Sequence, residues 1–158
     1  MNDSNSGDLL LAEDSVTDAE MTQRALRKAN LANPVRWVKD GAAALDFLFC
    51  RGEYASRDPR EIPKLVLVDL KMPKVDGLEV LRQMRSNPAL KCVPVVMLTS
   101  SREEADLARS YNLGVNAYVV KPIEFQAFVA AVKTLGVFWA LINEVPWSAA
   151  ARSTEAGE

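Results

Sequence analysis

Lys64-Leu65-Val66-Leu67-Val68-Asp69-Leu70-Lys71-Met72-Pro73-Lys74-Val75-Asp76-Gly77 is the stretch on which the fold turns. Leu65 to Val68 is a short unbroken apolar run, the pattern of a strand buried on both faces in a parallel sheet. It stops at a single carboxylate, Asp69. Pro73 and Gly77 then shape a loop leading into a helix with apolar positions Val80, Leu81 and Met84. Asp69 therefore sits at a strand's carboxyl end, where open α/β sheets bind their ligands.

Working outward, the same grammar recurs. Leu9-Leu10-Leu11-Ala12 is a buried strand running straight into Glu13-Asp14. Ser15 then caps a helix to about Asn30, with Asp18 three residues on. Asn33-Pro34 breaks the chain, Val35 to Val38 is a second strand, and Asp40-Gly41 turns into a helix bearing Ala44, Leu45, Leu48 and Phe49. Arg51 to Pro63 reads as a polar surface loop. The helix from Gly77 stops at Asn87-Pro88. Val93 to Leu98 is a fourth strand ending in Thr99-Ser100-Ser101, where Ser101 caps a weakly apolar helix, Arg102 to Asn112, closed by Gly114. Val115 to Val120 is the fifth strand, ending in Lys121-Pro122, and a last helix starts near Ile123.

Strands alternating with helices predict a five-stranded doubly wound α/β parallel sheet with helices on both faces. The strand order 2-1-3-4-5 puts strands 1 and 3 side by side at the switch point. At 158 residues, 49% apolar and 25% charged, the chain reads as one globular domain. We expect it to occupy residues 1–142, with 143–158 a loose tail rich in Ala, Ser and Glu. A net charge of −2 advertises neither nucleic-acid nor membrane binding. No signal peptide or membrane span is visible, so a cytoplasmic protein is expected. Cys50 and Cys92 sit among apolar neighbours and read as reduced, buried thiols. The chain has no histidine, which excludes Ser-His-Asp catalysis, His-ligated zinc and a role as phosphohistidine carrier.

A parallel sheet brings all the strand ends to one edge: Glu13 and Asp14, Asp69, Thr99 and Lys121. Singly each has an ordinary explanation as a helix start, a turn former or a surface lysine; together they make a site. Three carboxylates side by side raise one another's pKa. A hard divalent cation such as Mg²⁺ relieves that repulsion through oxygen ligands. With the metal present, Asp69 can act as a nucleophile toward a phosphoryl group. Mg²⁺, the Lys121 ammonium and the Thr99 hydroxyl would neutralise and position its oxygens.

Glu13-Asp14, Asp69-x-x-Met72-Pro73-x-x-Asp76-Gly77, Thr99, Tyr118 and Lys121-Pro122 form a set that resembles the receiver domain of two-component response regulators, over about residues 7–137. The resemblance implies a flavodoxin-like fold and an Asp69 that accepts phosphate from a histidine of a sensor kinase. It implies that Glu13, Asp14, Asp69 and the Lys71 carbonyl hold Mg²⁺, and that Lys121 and Thr99 contact the phosphoryl group. Thr99 and Tyr118 would form the switch, and the Lys121-Pro122 bond would be cis. Glu13 stands where many members have Asp, and its longer arm can reach metal through water. Such a protein is a signalling phosphoacceptor rather than an enzyme, assisting only its own phosphotransfer and aspartyl-phosphate hydrolysis. More narrowly, Glu13-Asp14-Ser15, Arg51-Gly52-Glu53-Tyr54-Ala55 and Gly136-Val137-Phe138-Trp139 resemble the small stand-alone response regulators that partner bacterial phytochromes.

The competing readings fare worse. After Lys121 the sequence offers one helix and a tail, with no helix-turn-helix or basic cluster for DNA. An FMN-binding loop after strand 1 needs amides where this chain has Glu13-Asp14. An aspartyl phosphatase needs a second acid where Lys71 stands. The remaining alternative is a non-phosphorylated pseudo-receiver acting as an interaction module, although such domains typically lose the Asp or the Lys kept here. Finally, the last helix carries Phe125, Phe128, Val129, Val132 and Leu135 at helical spacing, and apolar residues continue through Phe138, Trp139, Leu141 and Ile142. We expect a homodimer through strand 5 and the last two helices, with Phe138 and Leu141 on the contact face.

Overall fold

The computed structural model describes residues 8–29, 33–109 and 112–135. Its elements are β1 (Leu9–Ala12), α1 (Val16–Lys28), β2 (Val35–Val38), α2 (Gly41–Leu48), β3 (Leu65–Asp69), α3 (Gly77–Arg85), β4 (Val95–Thr99), α4 (Arg102–Arg109), β5 (Ala117–Val120) and α5 (Phe125–Leu135). The five strands are parallel in the order β2-β1-β3-β4-β5, the flavodoxin-like arrangement expected. Strands β1, β3 and β4 are buried along their whole length, which is why they read as continuous apolar runs.

Alternate residues of each strand feed two cores. Leu10, Val66, Val68, Val95 and Met97 pack with Ala44, Leu45, Phe47, Leu48, Val80, Leu81 and Met84 of α2 and α3. Leu9, Leu11, Leu65, Leu67, Val96 and Leu98 pack on the opposite face with Ala19 and Leu26 of α1 and Phe128 and Val132 of α5. Helix α4 contributes only Ala105 and Ala108 to the buried set, and Leu107 stands 64% exposed. It is the helix that burial holds least.

The helix starts follow side-chain chemistry. Ser15 Oγ accepts the Asp18 N–H (3.2 Å), Asp40 Oδ1 the Ala43 N–H (2.7 Å) and Asp76 Oδ1 the Glu79 N–H (2.9 Å). Gly77 is required where α3 starts: a Cβ there would lie 2.5 Å from the Asp69 carbonyl oxygen.

Four details differ from the sequence reading. Strand β4 begins at Val95 rather than Val93, because Pro94 has no N–H to give a ladder; its carbonyl still accepts the Val66 N–H (3.0 Å). Strand β5 begins at Ala117 rather than Val115. Just before it, Asn116 Oδ1 takes the Val95 N–H (2.8 Å), so a side chain stands in for the ladder. The Arg51–Pro63 loop is less loose than expected: Gly52–Tyr54 is a 3-10 turn, and the Tyr54 ring meets Phe47 edge-on at 5.2 Å. Cys92 is exposed and Cys50 only half-buried, because the apolar neighbours Leu90 and Val93 turn inward and leave Cys92 outside.

At the amino-terminal edge of the sheet, the Arg85 guanidinium donates to the carbonyls of Lys91 (3.0 Å), Val93 (3.0 Å) and Gly114 (2.8 Å) and to Asn116 Oδ1 (3.2 Å). One side chain thus ties α3 to the loops entering β4 and β5. The expected continuation of α5 through Phe138, Trp139, Leu141 and Ile142, and the tail at 143–158, lie outside the described residues. So does the expected end of α1 at Asn30.

Candidate functional site

Register decides what meets at the carboxyl edge. Ala12 pairs with Val68, and Asp69 with Leu98, so the residues leaving β1 and β3 emerge side by side. Glu13, Asp14 and Asp69 each bring a carboxylate oxygen within 4.8 Å of the others. Lys121 arrives from β5 with its backbone N–H on the Thr99 carbonyl (2.7 Å). Its ammonium reaches Asp69 Oδ2 at 3.0 Å and Glu13 Oε1 at 3.2 Å. The peptide bond between Lys121 and Pro122 is cis, as expected.

The electrostatics follow from burial. Glu13 is fully buried, and its pKa is pushed up to about 7, first by desolvation and then by the charge of Asp69. The Ser15 N–H (3.1 Å) and Lys121 pull the other way without cancelling this. Burial by itself would lower Lys121, but hydrogen bonds to Asp18 and Asp69 and the charges of Asp69 and Glu13 outweigh it and hold the ammonium protonated. Three converging hard oxygen donors, one of them with its pKa raised by burial and by Asp69, fit a divalent cation. Glu13 and Asp14 on one strand end and Asp69 on the other would hold it. When bound, it would neutralise the carboxylates and polarise an incoming anionic oxygen.

The other expected residues are placed differently. The Thr99 hydroxyl donates to the Ser101 carbonyl (3.1 Å), at the start of α4 rather than toward Asp69. Tyr118 lies half-buried on the α4 side, with the Arg109 guanidinium 4.3 Å above its ring. Lys71 follows Asp69 closely, its N–H near Asp69 Oδ1 (3.4 Å), while its ammonium pairs with Glu104 Oε2 of α4 (3.1 Å).

Three partners were not read from the sequence. Asp18 Oδ2 lies 3.0 Å from the Lys121 ammonium, from the first turn of α1. Trp37 Nε1–H donates to the Glu13 carbonyl (2.7 Å), anchoring the acidic pair to β2. Glu104 accepts the Ser100 N–H (3.1 Å) besides pairing with Lys71. Only Asp18 had a signal, the Ser15-x-x-Asp18 spacing, and it read as a helix cap.

The family described as the response regulator receiver domain matches residues 9–133. The chain belongs to that family. Response regulator Rcp1 of Synechocystis sp. is 40% identical to this receiver over 131 residues, covering 83% of this chain and 87% of Rcp1. Among solved structures, the bacteriophytochrome response regulator RtBRR matches with a TM-score of 0.83 at 54% identity, covering 89% of this chain and 84% of that one. The bacteriophytochrome response regulator AtBRR gives 0.82 at 56% identity, covering 89% and 99%. A crystal structure of Rcp1 in its Mn²⁺-bound form matches at 0.66 with 38% identity, covering 84% and 94%. The receiver described here shares their fold and carries at its carboxyl edge an acidic cluster able to take a divalent ion. Among the described residues, no helix of the receiver is long and apolar enough to cross a membrane.

Proposed function

We propose that Asp69 is the phosphoacceptor of a response regulator, charged by a sensor histidine kinase in a Mg²⁺-dependent reaction. The observation that carries this reading is the Lys121 ammonium 3.0 Å from Asp69 Oδ2, with the Glu13 and Asp14 carboxylates alongside. That arrangement supplies a nucleophile, a fixed cation for the transferred group and a seat for the metal. Glu13, Asp14, Asp69 and the Lys71 carbonyl hold the ion in this reading. The relatives named for bacteriophytochromes favour a light-regulated kinase as the partner, and the protein works in the cytoplasm.

The switch in this reading is Thr99 with Tyr118. The Thr99 hydroxyl leaves the Ser101 carbonyl for the phosphoryl group, the start of α4 follows, and Tyr118 turns inward. Leu107 of α4 and Val120 of β5, both exposed, then belong to a face that joins two copies of the chain.

The test is intact mass after treatment with acetyl phosphate and Mg²⁺. One phosphoryl increment is expected in the parent and none in Asp69→Asn or in excess chelator. An increment that survives Asp69→Asn rejects the assignment.

A further inference from the structure

The phosphoacceptor reading uses Lys121, Asp69, Glu13 and Asp14, and leaves Asp18 without a task. Asp18 is an unusual partner for Lys121. It lies 103 residues away in the chain, on the first turn of α1, yet its Oδ2 approaches the ammonium as closely as Asp69 does, 3.0 Å in each case. An acid in a helix's first turn ordinarily serves the helix itself, by capping or by its charge. Here the cap is Ser15, whose hydroxyl accepts the Asp18 N–H, and that hydrogen bond fixes the turn from which the carboxylate projects. The carboxylate is turned across to β5 instead.

Asp18 also stands apart from the metal set, which comprises Glu13, Asp14 and Asp69. A divalent ion on those three would take up their charge and weaken their hold on the ammonium. It would leave Asp18 as the remaining anion competing for Lys121 at the moment a phosphoryl group needs it. Asp18 keeps 34% of its side chain in solvent, whereas Lys121 keeps 14%, so the ammonium has few other places to turn.

We propose that Asp18 is a positioning residue that holds the Lys121 ammonium in competition with the group carried by Asp69, and so sets how tightly the phosphorylated site is clamped. The proposal rests on Asp69 being the phosphoacceptor. Neutralising Asp18 frees the ammonium and makes the clamp tighter.

Beryllium trifluoride, an anionic phosphoryl mimic that binds an acceptor carboxylate without turnover, measures this at equilibrium. Titrated in saturating Mg²⁺, Asp18→Asn is expected to bind it roughly three- to tenfold more tightly than the parent, the scale of one charge-assisted hydrogen bond redistributed in a part-buried site. Asp18→Glu is expected to return the affinity toward the parent's. The gain is a contact effect and should persist within twofold in 0.5 M NaCl, where a field acting through solvent is largely screened. Unchanged affinity in Asp18→Asn, with or without a lowered melting temperature, overturns the proposal and assigns Asp18 to structure alone. A gain that vanishes in high salt overturns it as well. A parent that does not bind the mimic, or binds it equally after Asp69→Asn, overturns the phosphoacceptor reading and this inference together.

Discussion

Lys71 Nζ lies 3.1 Å from Glu104 Oε2, so the loop that follows Asp69 is tied to the first turn of α4. Glu104 does more than pair. It accepts the Ser100 N–H while its own N–H donates to Ser101 Oγ, so its side chain reaches one residue past the cap at this helix start. The least buried helix among the described residues is therefore fastened at its amino end to the strand end that carries Asp69.

The two roles of Glu104 separate by substitution. Lys71 is largely exposed, so Lys71→Ala should cost under about 1 kcal/mol in urea unfolding. Glu104→Ala also removes the acceptor of the Ser100 N–H and should cost about 1–2 kcal/mol. The Glu104 carboxyl is held below its ordinary pKa, chiefly by the Ser100 N–H. Its stabilisation is therefore present above the unfolded value and is lost as pH falls through the folded one. Equal losses from the two variants would contradict the division.

Glu13 sets a pH dependence of the opposite sign. Its folded pKa of about 7 exceeds the ordinary glutamate value of 4.5, so between those values the native state binds more protons than the unfolded one. Metal-free stability should then fall as pH rises from about 4.5 to about 7, by on the order of 3 kcal/mol at most. Glu13→Gln should flatten that slope. Mg²⁺ needs the ionised carboxylate, so binding at pH 6.5 should release a proton, measured by calorimetry in buffers of different ionisation enthalpy, and at pH 8.5 should release almost none. Proton release at pH 6.5 that is unchanged in Glu13→Gln would assign the effect to another group.

Thr99→Ala tests the switch. It removes the hydroxyl that now donates to the Ser101 carbonyl while leaving Asp69, Lys121 and the acidic pair in place. The variant should still take up a phosphoryl group from acetyl phosphate. It should fail to change its mass in multi-angle light scattering, where the phosphorylated parent at tens of micromolar is expected to run as a dimer. Reversing a 1:99 equilibrium to 99:1 takes about 5.5 kcal/mol of differential stabilisation, so losing one strong hydrogen bond leaves much of the population unswitched. A Thr99→Ala protein that dimerises as the parent does rejects the switch; a parent that stays monomeric with and without phosphodonor rejects the dimer.

The sheet was legible because β1, β3 and β4 are buried on both faces and each ends in a chemically distinctive residue: Glu13, Asp69, Thr99. Strand order followed from topology, and the acidic cluster from strand order. Strand starts were less legible, since Pro94 and Asn116 alter the ladder in ways that apolar periodicity does not register. Asp18 was visible only as a helix-cap spacing, and Glu104 not at all. Their second partners, Lys121 and Lys71, come from other elements, and such pairings depend on how helices seat on the sheet. Trp37 gave no signal, because an indole donating to a backbone carbonyl leaves no spacing to read.

The Arg85 clamp gives the protein a fixed end. Its four acceptors join α3 to the approaches of β4 and β5 on the edge away from Asp69, and together they gather the strands that flank α4. In the proposed switch, a displacement begun at Thr99 would not be absorbed by those strands sliding at their starts. It would be delivered to α4 and the exposed side of β5 instead. On that reading the fold is a cantilever, anchored at a guanidinium and loaded at the opposite tip, whose deflection would be read out where Leu107 and Val120 meet solvent.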